Sequence, residues 1–321
     1  MEQVELRFDH ASRASQTHTN LSAIRQSPHG IWVAGDETAS FEHLAWTGDH
    51  FGDQRTFRLA DYVDLPAGPD DEADIEGMAR ADGHLWVVGS HSLKRKRVKS
   101  KDPGKAAARL ATVVREDNRY LLARLPLHGE EPQAGAALSG ERGLAAHLRD
   151  DPHLGPFLAL PGKDNGFDVE GIAVVGERVY LGLRGPVLRG WAVVLELRVE
   201  EAGRRRLRLR LREPYRKHFL DLGGLGVRDL CPDGESLLLL TGPTMALDGP
   251  VHVRRWWPGH RSGVVPAGEL EVVAELPFGV GCDHPEGLAR LADGRLMVVY
   301  DSPSPARITP AGGVLADVFT I

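Results

Sequence analysis

Seven carboxylates recur at matching places in short repeated segments, and acids gathered in that way either hold a hard cation or exchange protons. Glu76, Glu170 and Glu286 sit at the third position of Asp74-Ile-Glu-Gly-Met, Asp168-Val-Glu-Gly-Ile and His284-Pro-Glu-Gly-Leu. Asn20-Leu-Ser-Ala-Ile and Gly226-Val-Arg-Asp-Leu align with these without gaps, so the column reads Ser22, Glu76, Glu170, Arg228, Glu286. Two residues earlier stand Asn20, Asp74, Asp168, Gly226 and His284. Like charges within about 6 Å raise one another's pKa values unless a cation compensates. The pattern therefore calls either for Ca²⁺ or another divalent cation among the oxygens, or for internal pairing with Arg228, Arg184, Lys163 or Arg189.

Positioning those acids requires a repeated element. Each segment runs into a turn (Pro28-His29-Gly30, Ala81-Asp82-Gly83, Val175-Gly176, Pro232-Asp233-Gly234, Ala292-Asp293-Gly294) and then a second apolar run. An apolar run, a tight turn with Gly and a second β-rich run read as a hairpin. The hairpins recur after 54, 94, 58 and 58 residues. The 38 residues from His284 onward and the 19 before Asn20 together match the common period. A ring accounts for that balance, with the N-terminal strand near Val4–Phe8 completing the last blade beside Gly313–Thr320. Such closure also protects strand edges. The expected fold is all-β, a five-bladed β-propeller forming one domain over residues 1–321.

The 94-residue interval is the exception. Removing Gly129–Lys163 brings it near the period, and Ala137, Leu138, Leu144, Ala145 and Leu148 follow helical spacing within Ala134–Leu148. A helical insertion over 129–163 is the reading. A six-bladed ring is the alternative, since 94 is also twice 47.

In a propeller the start of each innermost strand and the end of the next strand meet at one mouth of the channel. The starts bring Asp74, Glu76, Asp168, Glu170 and Glu286 there, and the ends bring Asp36, Ser90, Arg184, Gly242 and Asp301, with His91 just beyond. Further along, Ile24, Met78, Ile172, Leu230 and Leu288 are apolar, as inter-blade core requires. Ala79, Ala173, Cys231 and Ala289 are small, as crowding near the axis demands. Asp36, Asp74, Glu76, Asp168, Glu170, Glu286 and Asp301 are thus the candidate metal ligands. Glu76, Glu170 and Glu286 are the candidate catalytic bases, while His91, Arg184, Arg228 and Lys163 are placed to bind an anionic group.

Composition narrows the function classes. The 321 residues carry 39 Lys+Arg against 45 Asp+Glu, with 42% hydrophobic and 26% charged residues, ordinary for a globular chain. The longest apolar runs, such as Leu237–Leu240, cannot cross a bilayer, so no membrane partner is expected. The start of the chain has no signal-like pattern and two cysteines make no disulfide framework, so a cytoplasmic setting is expected. No Gly-x-Ser-x-Gly elbow, Cys-x-x-Cys pair or phosphate loop occurs. Lys94–Lys101 and Arg204–Arg212 hold 12 bases without aromatic interleaving. They read as a solvated loop and an outer strand, and nucleic acid is not an expected partner.

Asp168-Val-Glu-Gly-Ile-Ala after Lys163-Asp-Asn-Gly, Leu183-Arg-Gly-Pro-Val-Leu-Arg-Gly-Trp-Ala, Gly226-Val-Arg-Asp-Leu and Glu286-Gly-Leu resemble the bacterial domain-of-unknown-function 3616 family. The resemblance runs from about Leu21 to Asp301 and implies a propeller without an established activity. The Asp-x-Glu-Gly-Ile/Met-Ala element is also similar to one in phytase-like, or esterase-like, propellers, which implies a metal-assisted phosphoester or ester hydrolase. Blades one (Asn20, Ser22) and four (Gly226, Arg228) depart from that pattern. The expected function is an acidic, metal-binding funnel hydrolysing a small anionic substrate. The alternative is a non-catalytic scaffold for a ligand or protein partner.

Overall fold

The turn residues dictate the local structure. In the second repeat Asp82 and Gly83 both take positive φ, +49° and +72°, the conformation that lets a two-residue loop match the twist of its strands. Gly176, Gly234 and Gly294 also have positive φ. We describe a computed structural model covering residues 1–259 and 263–321.

Each hairpin is extended outward by further antiparallel strands. The first blade is Leu21–Gln26, Gly30–Gly35, Ser40–Trp46 and Phe51–Arg58. The second is Ile75–Ala81, His84–Gly89, Leu121–His128 and Ala136–Ser139. The third is Asp168–Val175, Arg178–Gly185, Trp191–Leu197 and Tyr215–Asp221. The fourth is Gly226–Asp233, Ser236–Gly242, Val251–Trp256 and Glu271–Leu276. The fifth pairs His284–Arg290, Leu296–Asp301 and Gly313–Phe319 with the N-terminal strand Glu2–Arg7, in a register running from Glu2 opposite Val318 to Arg7 opposite Gly313. The first strands of successive blades pack against one another in order, and the last packs on the first, so the molecule is a β-propeller. Ile24, Met78, Ile172, Leu230 and Leu288 are fully buried between the blades.

Two segments of the long interval differ from expectation. Ala136–Ser139 is the outer strand of blade two, registered against Leu121–Arg124, and the α-helix is confined to Leu144–Leu148. The spacing of Ala137 and Leu138 suits either period, and the unpaired edge of Leu121–His128 selects the strand. The insertion beyond the blade is therefore shorter than residues 129–163 and consists of that helix and several 3-10 turns. Much of the extra length lies elsewhere, in an arm between Gly89 and Leu121 that contains the short pair Lys94–Arg95 with Val113–Val114 and the helix Pro103–Leu110.

Every innermost strand carries a β-bulge at the same place. The register skips Ser22, Glu76, Glu170, Arg228 and Glu286, each lying between two residues that pair normally with the neighbouring strand. A bulge leaves one residue unpaired and re-aims its side chain, so the repeated column is five re-aimed side chains. The next residue along is Ala23, Gly77, Gly171, Asp229 or Gly287. A Cβ on Gly171 would stand 2.8 Å from the Asp229 Cα, and one on Gly77 would stand 3.2 Å from the Ile172 backbone nitrogen. Glycine there lets adjacent inner strands approach at the axis.

Where that column has Asp229, the column two residues further has Arg25, and the two meet. The Arg25 guanidinium donates to both Asp229 oxygens at 2.8 and 2.7 Å, and to the carbonyls of Leu288 (2.8 Å), Ile172 (3.0 Å), Ile24 and Leu230. Asp229 in turn accepts from the Leu230 and Leu288 amides. Both side chains are buried. Burial opposes the Arg25 charge, but Asp229 more than offsets this and holds its pKa above the ordinary value.

Removing one partner strands a buried charge, which typically costs about 3–5 kcal/mol. Asp229→Asn and Arg25→Met are each expected to lower stability by about that amount in denaturant unfolding. The double variant should lose much less than the sum, a non-additivity read directly from the cycle.

Candidate functional site

The re-aimed glutamates and the ends of the second strands share one mouth of the channel, as their mutual electrostatics require. Glu76 feels Asp74, Glu170, Asp36 and Glu286, contributed by the second, third, first and fifth blades. Asp36 feels Asp74, Glu286, Asp301 and the positive charge of Lys163. The mouth is chemically divided into two halves.

On the side of blades three to five the acids are neutralised internally. Arg184 Nη1 donates to Glu170 at 2.5 Å, while its Nε donates to the Thr244 carbonyl at 2.8 Å and its Nη2 to the Met245 carbonyl at 3.4 Å. Arg228 pairs with Glu286, donates to the Pro243 carbonyl at 3.2 Å and lies 3.7 Å from the second Glu170 oxygen. All the nitrogens of both guanidiniums thus face carboxylates or the Pro243–Met245 loop. That loop continues to Asp248, which accepts from the Gly281 amide at 2.9 Å and lies 3.3 Å from His284 Nε2. The other ring nitrogen of His284 is 3.9 Å from Asp301.

The side of blades one and two is different. One oxygen from each of Asp36, Asp74 and Glu76 lies within 4.8 Å of the others. Glu76 has no ion pair or hydrogen-bond partner among the described residues, and the Asp36 Oδ1 is buried without one. Burial, with Asp74, Glu286 and Asp301 nearby, pushes the Asp36 carboxyl up to about 8. Burial and the surrounding acids push Glu76 well above the carboxylate range. Asp74 is pushed up to about 6 by burial, against the pull of Arg119, whose Nη1 lies 2.6 Å from its Oδ2. Asp74 also adopts φ +48°, a left-handed backbone uncommon outside glycine.

Asp168 stands beside this group. Its carboxylate fills the space where a side chain on Gly162 would be, only 2.4 Å from the ideal Cβ position. Burial and the Glu170 charge push it up to about 8, opposed by Arg184 and Lys163. Lys163 is exposed, makes no ion pair among the described residues, and is the cation that both Asp36 and Asp168 feel across the mouth. His91 is buried, with φ +54°, and its Nδ1–H donates to the Gly89 carbonyl at 2.8 Å. That bond leaves Nε2 as the acceptor nitrogen, and Nε2 is buried without a partner. Burial lowers its pKa to about 4, so the ring is neutral at pH 7. Its edge meets Tyr120, ring centroids 5.9 Å apart.

Arg119 organises the blade-two side and has no counterpart in the repeated columns. It pairs with Asp74, Glu72 and Glu116 at once. It precedes the third strand of its blade, outside the repeated hairpins, so spacing carried no signal for it. Arg25 and Asp229 did leave one, since each is the single charged member of a column of small residues.

Solved structures that align along nearly the whole chain include Myxococcus xanthus glutaminyl cyclase, 9% identical with a TM-score of 0.46 over 100% of this chain and 96% of that one. A streptogramin B lyase is 8% identical, TM-score 0.42, over 99% and 98%. A putative oxidoreductase (glucose dehydrogenase) from Thermus thermophilus is 14% identical, TM-score 0.41, over 94% and 98%. At such distances none of their activities transfers to this chain. Curated proteins give no match. The sequence model of one family does match, across residues 20–317, and this chain belongs to that family, the proteins of unknown function designated DUF3616.

Proposed function

We propose that the protein binds a hard divalent cation, Ca²⁺ or one like it, at Asp36, Asp74 and Glu76 and thereby holds a small anionic ligand at the channel mouth. The supporting observation is the convergence of three carboxylates within 4.8 Å with no guanidinium on Asp36 or Glu76. Hard cations take such oxygens, with water or ligand oxygens completing six to eight positions for Ca²⁺. Asp168 and Asp301 flank the group, whereas Glu170 and Glu286 are committed to Arg184 and Arg228. Lys163, facing the same acids, supplies a second positive charge for the ligand.

Hydrolysis of a phosphoester or carboxylester is the chemistry this arrangement serves. A bound cation would polarise an ester oxygen. Glu76, free of a guanidinium, holds its proton among the surrounding acids, and a bound cation would favour its ionised form, the form able to take a proton from water. Glu170 and Glu286 act as positioning residues through the two arginines. The second reading is binding without turnover. Its supporting observation is that the one hydroxyl in the repeated column is occupied: the buried Ser22 hydroxyl donates to the carbonyls of Ile75 and Ala34.

Stripped with chelator and titrated with Ca²⁺, Mg²⁺ or Mn²⁺, the protein is expected to melt at a higher temperature with at least one of them. At a hundredfold excess over Kd the gain is about 2.7 kcal/mol. Asp36→Asn should abolish the shift, and no shift with any cation removes the proposal.

The raised carboxyls also set a pH dependence. In cation-free protein Asp36, Asp74 and Asp168 keep protons that the unfolded chain has released near pH 4. Their contribution is present at about pH 4 and is lost as pH rises through about 6 to 8. Melting temperature should therefore fall between pH 5 and pH 8 without cation, and the cation-induced rise should be largest at pH 8.

For turnover, a panel of phosphomonoesters and carboxylesters with added cation separates the two readings. Glu76→Gln should cut any kcat found by about 10²–10⁴-fold, while Lys163→Ala should act mainly on KM. Cation binding without turnover on the panel selects the binding reading.

A further inference from the structure

The arm between the second and third strands of blade two plays no part in the ring. From Lys94 to Arg109 it carries eight Lys and Arg residues against one acid, Asp102, on a protein whose formal charge is −6. Its root is fixed to the mouth face: Leu93 bridges to Pro161, Arg95 Nε lies 2.7 Å from Asp164, and Lys94 lies 3.4 Å from Glu72, itself a partner of Arg119. Beyond that root, Lys96, Arg97, Lys99, Lys101 and Lys105 make no ion pair among the described residues. They therefore remain available to an external anion.

The arm is also apolar in places where solvent alone offers nothing. Val98, Leu110 and Val113 are 47%, 51% and 40% exposed, and the helix Pro103–Leu110 buries none of its residues. The helix is nonetheless defined, with the Asp102 side chain accepting from the Lys105 amide at 2.7 Å. Aliphatic groups set among unpaired bases suit the headgroup boundary of a bilayer, where apolar atoms enter and ammonium groups meet phosphate. Nucleic acid fits less well, because no aromatic residue lies between 93 and 118 to stack on a base.

We propose that this basic arm docks the propeller on an anionic lipid surface. No described helix is long and apolar enough to cross a membrane, and surface docking needs none. This proposal does not rest on the cation site.

The test is co-sedimentation of the whole protein, in chelator, with vesicles of phosphatidylcholine alone or with about a third phosphatidylserine. Binding is expected only to the anionic vesicles and should weaken with salt, each base near the surface being worth about 1 kcal/mol, or roughly fivefold. The variant carrying Lys96→Glu, Arg97→Glu, Lys99→Glu and Lys101→Glu should lose at least about tenfold in partition coefficient. These side chains are solvent-facing, and an unchanged melting temperature will show that the fold is intact. Val98→Ser with Leu110→Ser should weaken vesicle binding severalfold without changing the salt dependence. Absence of binding to anionic vesicles, or equal binding to neutral ones, overturns the proposal. So does undiminished binding by the Val98/Leu110 variant together with tight binding of an oligonucleotide, which would assign the arm to a soluble polyanion.

Discussion

The contact between Arg25 and Asp229 at the axis is the constraint on which the rest of the propeller depends. A ring of blades is held laterally by apolar packing, which is indifferent to small slips of one inner strand along the next. The guanidinium removes that freedom. It binds a carboxylate and a carbonyl of blade four, and carbonyls of blades one, three and five, so four inner strands share one set of heights. Below the mouth a buried ion pair lies on the axis, with both Nη groups of Arg25 engaged and its Nε buried without a partner. Above it, the bulged residues of all five strands stand at matched levels, which is what allows acids separated by more than 200 residues in sequence to act on one another.

The five bulges explain why the site is acidic on one side and self-neutralised on the other. The backbone device is the same in each blade, and only the side chain changes. Serine in blade one and arginine in blade four flank three glutamates, and Arg184 joins from the return strand of blade three. Two cations on that side meet Glu170 and Glu286. Among the described residues no cation forms an ion pair with Asp36 or Glu76, and the Arg119 guanidinium is occupied with Asp74, Glu72 and Glu116. Charge imbalance is thus a result of which residue occupies each bulge, with no change of fold between the two halves.

Much of this was readable from spacing. The apolar column Ile24, Met78, Ile172, Leu230 and Leu288, the small column beside it and the pairing of the N-terminal strand with the last blade all follow from a repeat of hairpins. The convergence of the acids followed too. The bulge itself did not, because a one-residue irregularity shared by every repeat leaves their mutual alignment unchanged. Arg25 and Asp229 were visible as odd members of small columns, but their pairing joins blade one to blade four across the axis, which linear spacing does not report. In the outer strand Ala136–Ser139 a few small and apolar residues satisfy both the helical and the strand period, and a waiting hydrogen-bonding edge decides between them. Partners drawn from outside the hairpins, such as Arg119 and the Pro243–Met245 carbonyls, had no periodic signature at all.

Pairing of Glu2–Arg7 with Gly313–Phe319 has a temporal side. Translation at about 5–20 residues per second leaves the first of these strands without its partner for roughly 15–60 seconds. Throughout that wait it is a free β-edge, the kind of segment that seeks neighbours on other nascent chains. Gln3, Glu5 and Arg7 alternate with Val4 and Leu6, and Glu2 opens the strand, so charges stand along it, a guard that serves the unfinished molecule more than the completed one.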